Sequence, residues 1–364
     1  MMMDFIPQME PYFDDKEINA INAYMQSGGW LTEHKVTRAF EDEIKKYTGA
    51  KYCFAVNNGT ISLSVALLAL GIKPGDEIIV PDLTMIATPN SAHLIGAKPV
   101  FVDIDSDTLC MDYEAMQKAV TEETKAIIYV SFNGRAKNVE QFRCFCAENK
   151  LGFIEDAAQS LGSYYNGKHL GRFGDIGSFS FSVPKIITMG QGGALITDND
   201  LLAEKIGYLK DFGRKGGGND IHHCIGYNFK LTDLQAVIGC EQMKKLPQRL
   251  IRKKEIYSRY VENLKDITEV CFINTELSQT SPWFIDLYVP NPDELAEYLK
   301  LYNIGTRRIY PPIHKQQAYK HLNHLNFSVT EKYCSMGLWL PSSIKLSDIQ
   351  IDYICDNIIH YYGV

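Results

Sequence analysis

The chain has 364 residues, 45% hydrophobic and 22% charged, enough to bury a large core in two domains or in one large domain with a satellite. Lys+Arg 37 against Asp+Glu 44 leaves a formal charge of −7, which excludes the basic footprint of a general nucleic-acid binder and requires any anionic ligand to be held locally. No apolar run approaches the roughly 20 residues that span a bilayer, and the opening residues lack the pattern of a secretory signal, so a soluble cytoplasmic protein is expected.

The nine cysteines are odd in number and include no CxxC pair, so neither a disulfide framework nor a metal site is indicated. Cys144 and Cys146 form a CxC whose members point to different faces if the segment is a helix.

Residues 51 to 197 alternate short apolar, β-branched runs with helical stretches, the pattern of a mainly parallel sheet covered by helices. CFAVNN (53–58), EIIVP (77–81), KPVFVDI (98–104), AIIYVSF (126–132), GFIED (152–156), SFSFS (178–182) and GALIT (193–197) are seven strand candidates for one sheet. ISLSVALLALG (61–71), DYEAMQKAV (112–120) and NVEQFRCFCAENK (138–150) have helical apolar spacing. Beyond Asp200, LLAEKIGYLKDFG reads as a helix, GRKGGGND (213–220) as a loop with four glycines, and LTDLQAVIGCEQMKKL (231–246) as a helix that Pro247 closes. QRLIRKKEIYSRYVENL (248–264) predicts a separate basic helix joining two lobes. The expected division is a large cofactor-binding domain over 1–247 and a small C-terminal domain over 248–364.

Ligands of such sheets lie at the carboxyl ends of the strands. Asn58-Gly59-Thr60 follows the first strand and opens a helix, offering free N–H groups and a positive dipole end to a phosphate; the same residues also make an ordinary turn and helix cap. PDLTMIATPNS (81–91) places Met85 and Thr88 behind another strand, as ligand contacts or as packing. GFIEDAAQS brings Glu155 and Asp156 to a strand end, where a carboxylate pairs with a cationic ring nitrogen or caps the next helix. In SFSFSVPKIITMGQGG, Ser178, Ser180, Ser182 and Lys185 crowd a strand end that Pro184 terminates. Val183, Ile186 and Ile187 surround Lys185 with apolar bulk, which strips hydration from an amine and makes it nucleophilic; the alternative is a solvated surface lysine. A phosphate cradle, a carboxylate for a ring nitrogen and an activated lysine on one sheet form the set that pyridoxal 5'-phosphate requires.

Four motifs occur in order: GGWLTEHKVTRAFEDEIKKYTGAKYCFAVNNGT, EDAAQSLGSYYNGKHLGRFGDIGSFSFSVPKIITMGQGGALIT, IGYNFKLTDLQAVIGCEQMKKL and GTRRIYPPIHKQQAY. They resemble the sugar aminotransferases of the DegT/DnrJ/StrS family along nearly the whole chain. The resemblance implies an α/β architecture of the type I pyridoxal phosphate-dependent transferase fold, with a mainly parallel seven-stranded sheet in the large domain and a smaller C-terminal α+β domain. It implies Lys185 as the Schiff-base lysine, Asp156 as the partner of the pyridine nitrogen and Gln159 as the neighbour of the ring's O3′. It further implies Asn58, Gly59, Thr60 and Ser180 at the phosphate, Met85 where an aromatic ring usually stacks, and Asn228 reaching the phosphate from the other subunit of a homodimer with shared active sites.

This sequence departs from the family pattern at Asn58 (usually Ser), Met85, Gln191 (Glu), Glu33 (Gly) and Lys230 (Arg). None of these departures removes a covalent role. Dehydratase members of the superfamily carry His where this chain has Lys185, and His cannot form the imine. The segment 305–319 looks like the part that closes over the sugar, in the form of 4-aminotransferases such as perosamine synthases. Trp30, Arg214, Lys215, Arg307, Tyr310 and His314 are the candidate substrate contacts. The implied reaction is a ping-pong amino transfer from glutamate to a nucleotide-linked 4-keto-6-deoxyhexose. A 3-keto sugar aminotransferase of the same family and a non-catalytic pyridoxal phosphate-binding regulator remain alternatives. A dinucleotide-dependent oxidoreductase lacks its GxGxxG turn here.

Overall fold

The computed structural model describes residues 3–216 and 220–363, so the expected glycine-rich loop is described except at 217–219. The strands are β1 (Tyr52–Val56), β2 (Glu77–Pro81), β3 (Lys98–Val102), β4 (Thr124–Val130), β5 (Gly152–Asp156), the hairpin β6 (Tyr164–Tyr165) and β7 (Lys168–His169), β8 (Ile176–Ser180) and β9 (Gly193–Thr197). Seven of them form one sheet in the order β1-β9-β8-β5-β4-β2-β3. β2, β3, β4, β5 and β8 pair in parallel, whereas β9 runs antiparallel to both β8 and β1. The sheet is buried on both faces by helices, which is why its strands read as apolar runs rather than as alternating patterns.

Side-chain caps start several of the helices. Asn58 Oδ1 accepts the N–H of Ile61 at 2.9 Å to open the helix Gly59–Ala69, and Asn199 and Thr232 do the same for Asp200–Lys210 and Asp233–Leu264. On the helix Val139–Glu148, Cys144 is exposed and Cys146 buried.

Two helices were expected on either side of Pro247; a single helix runs through it from Asp233 to Leu264. The proline forfeits one backbone hydrogen bond. Packing holds the helix on both sides of that break: Met243, Leu246, Leu250 and Ile256 are all buried. One end lies against the helices Asp15–Gln26 and Lys35–Thr48 and the other against Asp348–Tyr362. The same helix is therefore the spine of both lobes.

The C-terminal lobe holds a second sheet of β10 (Cys271–Phe272), β11 (Ile285–Tyr288), β12 (Arg307–Arg308) and β13 (Gly337–Leu340), antiparallel in the order β10-β11-β13-β12. The start of the chain packs on this lobe rather than on the large sheet. Ile6 bridges Ile304, exchanging backbone hydrogen bonds with Asn303 and Gly305, and is 1% exposed. No helix among the described residues is long and apolar enough to cross a membrane.

Candidate active site

The carboxyl ends of β1, β2, β5 and β8 and the start of the antiparallel β9 all open on one edge of the sheet. Loops from these five places meet Trp283, Arg307 and Tyr310 of the C-terminal lobe around a cavity of about 530 Å³. It is lined by Asn58, Gly59 and Thr60 after β1, Met85 after β2, Asp156 at the end of β5 and Gln159 beyond it, Ser180 at the end of β8 and Lys185 beyond it, Gln191 before β9, and Trp283, Arg307 and Tyr310.

Glu155 and Asp156 are neighbours on β5 and so point to opposite faces of the sheet. Glu155 is satisfied away from the cavity by three backbone N–H groups, those of Gly171, Phe173 and Gly174. Asp156 faces the cavity, 6% exposed. It accepts hydrogen bonds from Thr88 Oγ1 at 2.7 Å and from the N–H of Ala158 at 3.2 Å, and makes no ion pair among the described residues. Burial pushes its carboxyl group up, against those two donors and the charge of Lys185.

β8 ends at Ser180, two residues earlier than expected, and Ser182, Val183 and Pro184 form a turn closed by the N–H of Lys185 to the carbonyl of Ser182 at 3.0 Å. Trp283, just before β11, donates its indole N–H to the carbonyl of Pro184 at 2.7 Å and lies under the lysine, with Nζ 4.1 Å from a ring centre. Loss of hydration in this setting pushes the Lys185 amine down to about 8, with Asp156 opposing. No ion pair of Lys185 is found among the described residues.

At the far end of the cavity, helix geometry leaves the first N–H groups of Gly59–Ala69 without intrahelical partners. A Cβ on Gly59 would lie 2.8 Å from that of Ser180, so only glycine lets the helix start approach the serine hydroxyl this closely. Arg307 extends from β12 with its guanidinium 5.9 Å from the Tyr310 ring and 5.4 Å from that of Trp339, without a carboxylate partner among the described residues. Among the described residues, Asp156 is the only acidic one on the wall, and Lys185 and Arg307 are the only cations.

The other substrate candidates lie elsewhere in this chain. Trp30 is 68% exposed, beside His34. Arg214 pairs with Asp211 at 2.7 Å and Asp220 at 3.2 Å, and Lys215 with Glu204 at 3.3 Å, at a separate cleft that also holds Arg38 and Lys210. Asn228 is exposed, forms a backbone bridge with Asp211 and does not line the cavity. His314 is fully buried between Asp82, at 2.6 Å from Nδ1, and Glu331, at 3.2 Å from Nε2. That placement ties the loop after β12 to the end of β2 and keeps the imidazole off the cavity wall. Trp283 and Asn133, whose N–H bonds Gln159 Oε1 at 2.7 Å, escape sequence reasoning because neither carries a reactive group.

A sequence model described as the DegT/DnrJ/EryC1/StrS aminotransferase family matches residues 11–359. The GDP-perosamine synthase of Escherichia coli O157:H7 is 33% identical over 364 residues, covering 99% of this chain and 100% of that protein. A DegT DnrJ EryC1 StrS aminotransferase from Brucella abortus superposes with a TM-score of 0.89 at 31% identity, covering 96% of each chain. DesV of S. venezuelae, solved in complex with a ketimine intermediate, superposes with a TM-score of 0.92 at 27% identity over 100% of each chain.

Proposed function

Because the chain belongs to the DegT/DnrJ/EryC1/StrS aminotransferase family, we propose that it holds pyridoxal 5'-phosphate in the cavity between Asp156 and Lys185 and moves the amine of glutamate to C4 of a nucleotide-linked 4-keto-6-deoxyhexose. The observation that carries this reading is a pair of unmet demands in one cavity: a buried carboxylate and a dehydrated amine, neither of which makes an ion pair among the described residues. A ring with a protonatable nitrogen and an aldehyde answers both, and the helix start at Gly59 and Thr60 with Ser180 Oγ answers its phosphate. When bound, the group supplies an electrophilic carbon for the amine and a ring that takes up electron density from the substrate carbon.

The chain's own residues do the rest. Asp156 keeps the proton on the ring nitrogen, because a buried carboxylate that gains a cation no longer bears its desolvation cost. Lys185, once displaced by an amino substrate, accepts and returns the proton at the reacting carbon; an amine near neutrality suits both directions. Met85 and Ala158 on the wall limit water. Arg307, which has no carboxylate partner among the described residues, is placed to hold a carboxylate or a diphosphate. The relative named GDP-perosamine synthase supports a nucleotide-sugar acceptor.

The working unit in this reading is a homodimer, with Asn228 serving the partner's phosphate site. Its support is the exposed apolar surface beside Asn228: Ile221, Ile225 and Tyr227 are 62%, 80% and 47% exposed. An active monomer in sedimentation would remove this part of the reading.

The whole proposal is tested by loading the protein with pyridoxal phosphate and recording its visible absorbance. Glutamate should bleach the band and a 4-keto-6-deoxy sugar nucleotide should restore it. A panel that includes 3-keto isomers assigns the position; no response to glutamate or to any sugar overturns the assignment.

A further inference from the structure

Gln159 lines the cavity, and its amide has two ends of opposite character. Its Oε1 lies 2.7 Å from the backbone nitrogen of Asn133. A backbone N–H only donates, so the oxygen must face Asn133 and the Nε2 donor is turned the other way. Asn133 itself sits in the left-handed region at φ 53 and ψ 30, followed by Gly134 at φ 82. Asparagine is one of the few side-chain-bearing residues that adopt this region readily, and here its side chain is also held.

What holds it is the C-terminal lobe. Asn133 Oδ1 accepts the N–H of Phe284 at 2.7 Å, and Nδ2 donates to the carbonyl of Phe284 at 2.8 Å and to Asp286 Oδ1 at 2.7 Å. The side-chain amide thus docks on the start of β11 as an added strand residue would. Asp286 is fixed in turn by Arg135, at 2.7 Å and 3.2 Å, and by the Tyr288 hydroxyl at 2.8 Å. Asn133, Arg135, Asp286 and Tyr288 are all buried.

We infer that Asn133 is a positioning residue: clamped to β11, it sets the orientation of the Gln159 amide and so points an N–H donor into the cavity toward the phenolic oxygen of the bound cofactor ring. This rests on the reading that pyridoxal phosphate binds between Asp156 and Lys185. It joins β11 to the cofactor site through one asparagine, although no residue of β11 lines the cavity.

The experiment reads the pH midpoint of the visible band of the loaded protein, together with the melting temperature of each apo-protein. A donor on the phenolic oxygen withdraws charge from it and weakens its hold on the proton it shares, so loss of the donor raises the midpoint. Gln159→Leu should raise it by about half to one pH unit, the worth of one hydrogen bond. Asn133→Gly tolerates the backbone angle and keeps the main-chain N–H but loses the clamp; it should raise the midpoint in the same direction, and the double variant should add nothing to Gln159→Leu. A lowered melting temperature with the native midpoint, or additive shifts, overturns the inference. If Asn133→Gly does not fold, Asn133→Ser is read against the same outcomes. Failure of the native protein to form a visible band would instead overturn the cofactor reading.

Discussion

Thr88 Oγ1 donates a 2.7 Å hydrogen bond to Asp156 Oδ2, and Thr84 Oγ1 stands 2.9 Å behind it. A threonine hydroxyl has one proton, so with Thr88 donating to the carboxylate, Thr84 must donate to Thr88. A relay of two hydroxyls, Thr84 on the loop after β2 and Thr88 in the first turn of the helix Ala87–Leu94, therefore stabilises the ionised carboxylate at the end of β5.

Thr88→Val removes the nearer donor while conserving shape. The carboxyl group should rise further, and its hold on a protonated ring nitrogen should weaken. Titration of the apo-variant with pyridoxal phosphate is expected to show about tenfold weaker binding or more, the worth of a hydrogen bond to a charged group. An unchanged affinity would mean that Thr88 only packs.

The depressed amine at Lys185 has a pH signature. Its ordinary value is 10.5 and burial brings it to about 8, so the neutral, nucleophilic form is mostly formed once the pH passes about 8. The rate at which the apo-protein takes up pyridoxal phosphate into a borohydride-trappable linkage should climb toward that pH and then level. Lys185→Ala should show no linkage at any pH.

The same shift affects stability with a definite sign. Between about 8 and 10.5 the unfolded chain binds more protons at this lysine than the folded one, so the apo-protein gains stability as the pH rises through that window. Apo Lys185→Met should melt higher than the native apo-protein at pH ~7, and the gap should close as the pH passes through the window. A constant gap would assign the effect to packing alone.

Arg307 and His314 come from one sequence motif and should behave in opposite ways. Arg307→Met should raise KM for the sugar nucleotide or for glutamate about tenfold or more, with a smaller effect on melting. His314→Ala should leave Asp82 buried without its partner and destabilise the fold by about 3 kcal/mol, while KM stays close to native. Steady-state kinetics and thermal melts on the two variants separate these roles.

Much of the cavity wall was legible because it is local. Asn58, Asp156, Ser180 and Lys185 lie at or shortly beyond the ends of strand-like runs, and a chain that folds as alternating strands and helices delivers such residues to one edge. The unbroken helix through Pro247 was not legible, since local rules count the lost hydrogen bond and cannot see the buried residues that hold the helix on both sides. His314 misled for a related reason: its type and motif suggest a ligand contact, and only long-range packing against Asp82 and Glu331 gives it another partner.

The formal charge of −7 excluded a diffuse polyanion-binding surface, and the periodicity of residues 51 to 197 determined a seven-stranded sheet with reactive residues at its carboxyl edge. These are properties of neighbours in the chain, written in hydrophobic spacing and in helix and strand termini. Tertiary structure alone decided that Trp283 lies under Lys185, that Arg307 reaches the cavity wall from β12 and that Asn133 orients Gln159. Each of those contacts joins the C-terminal lobe or a distant loop to the sheet edge, and such a contact exists only once both lobes have packed on the helix Asp233–Leu264.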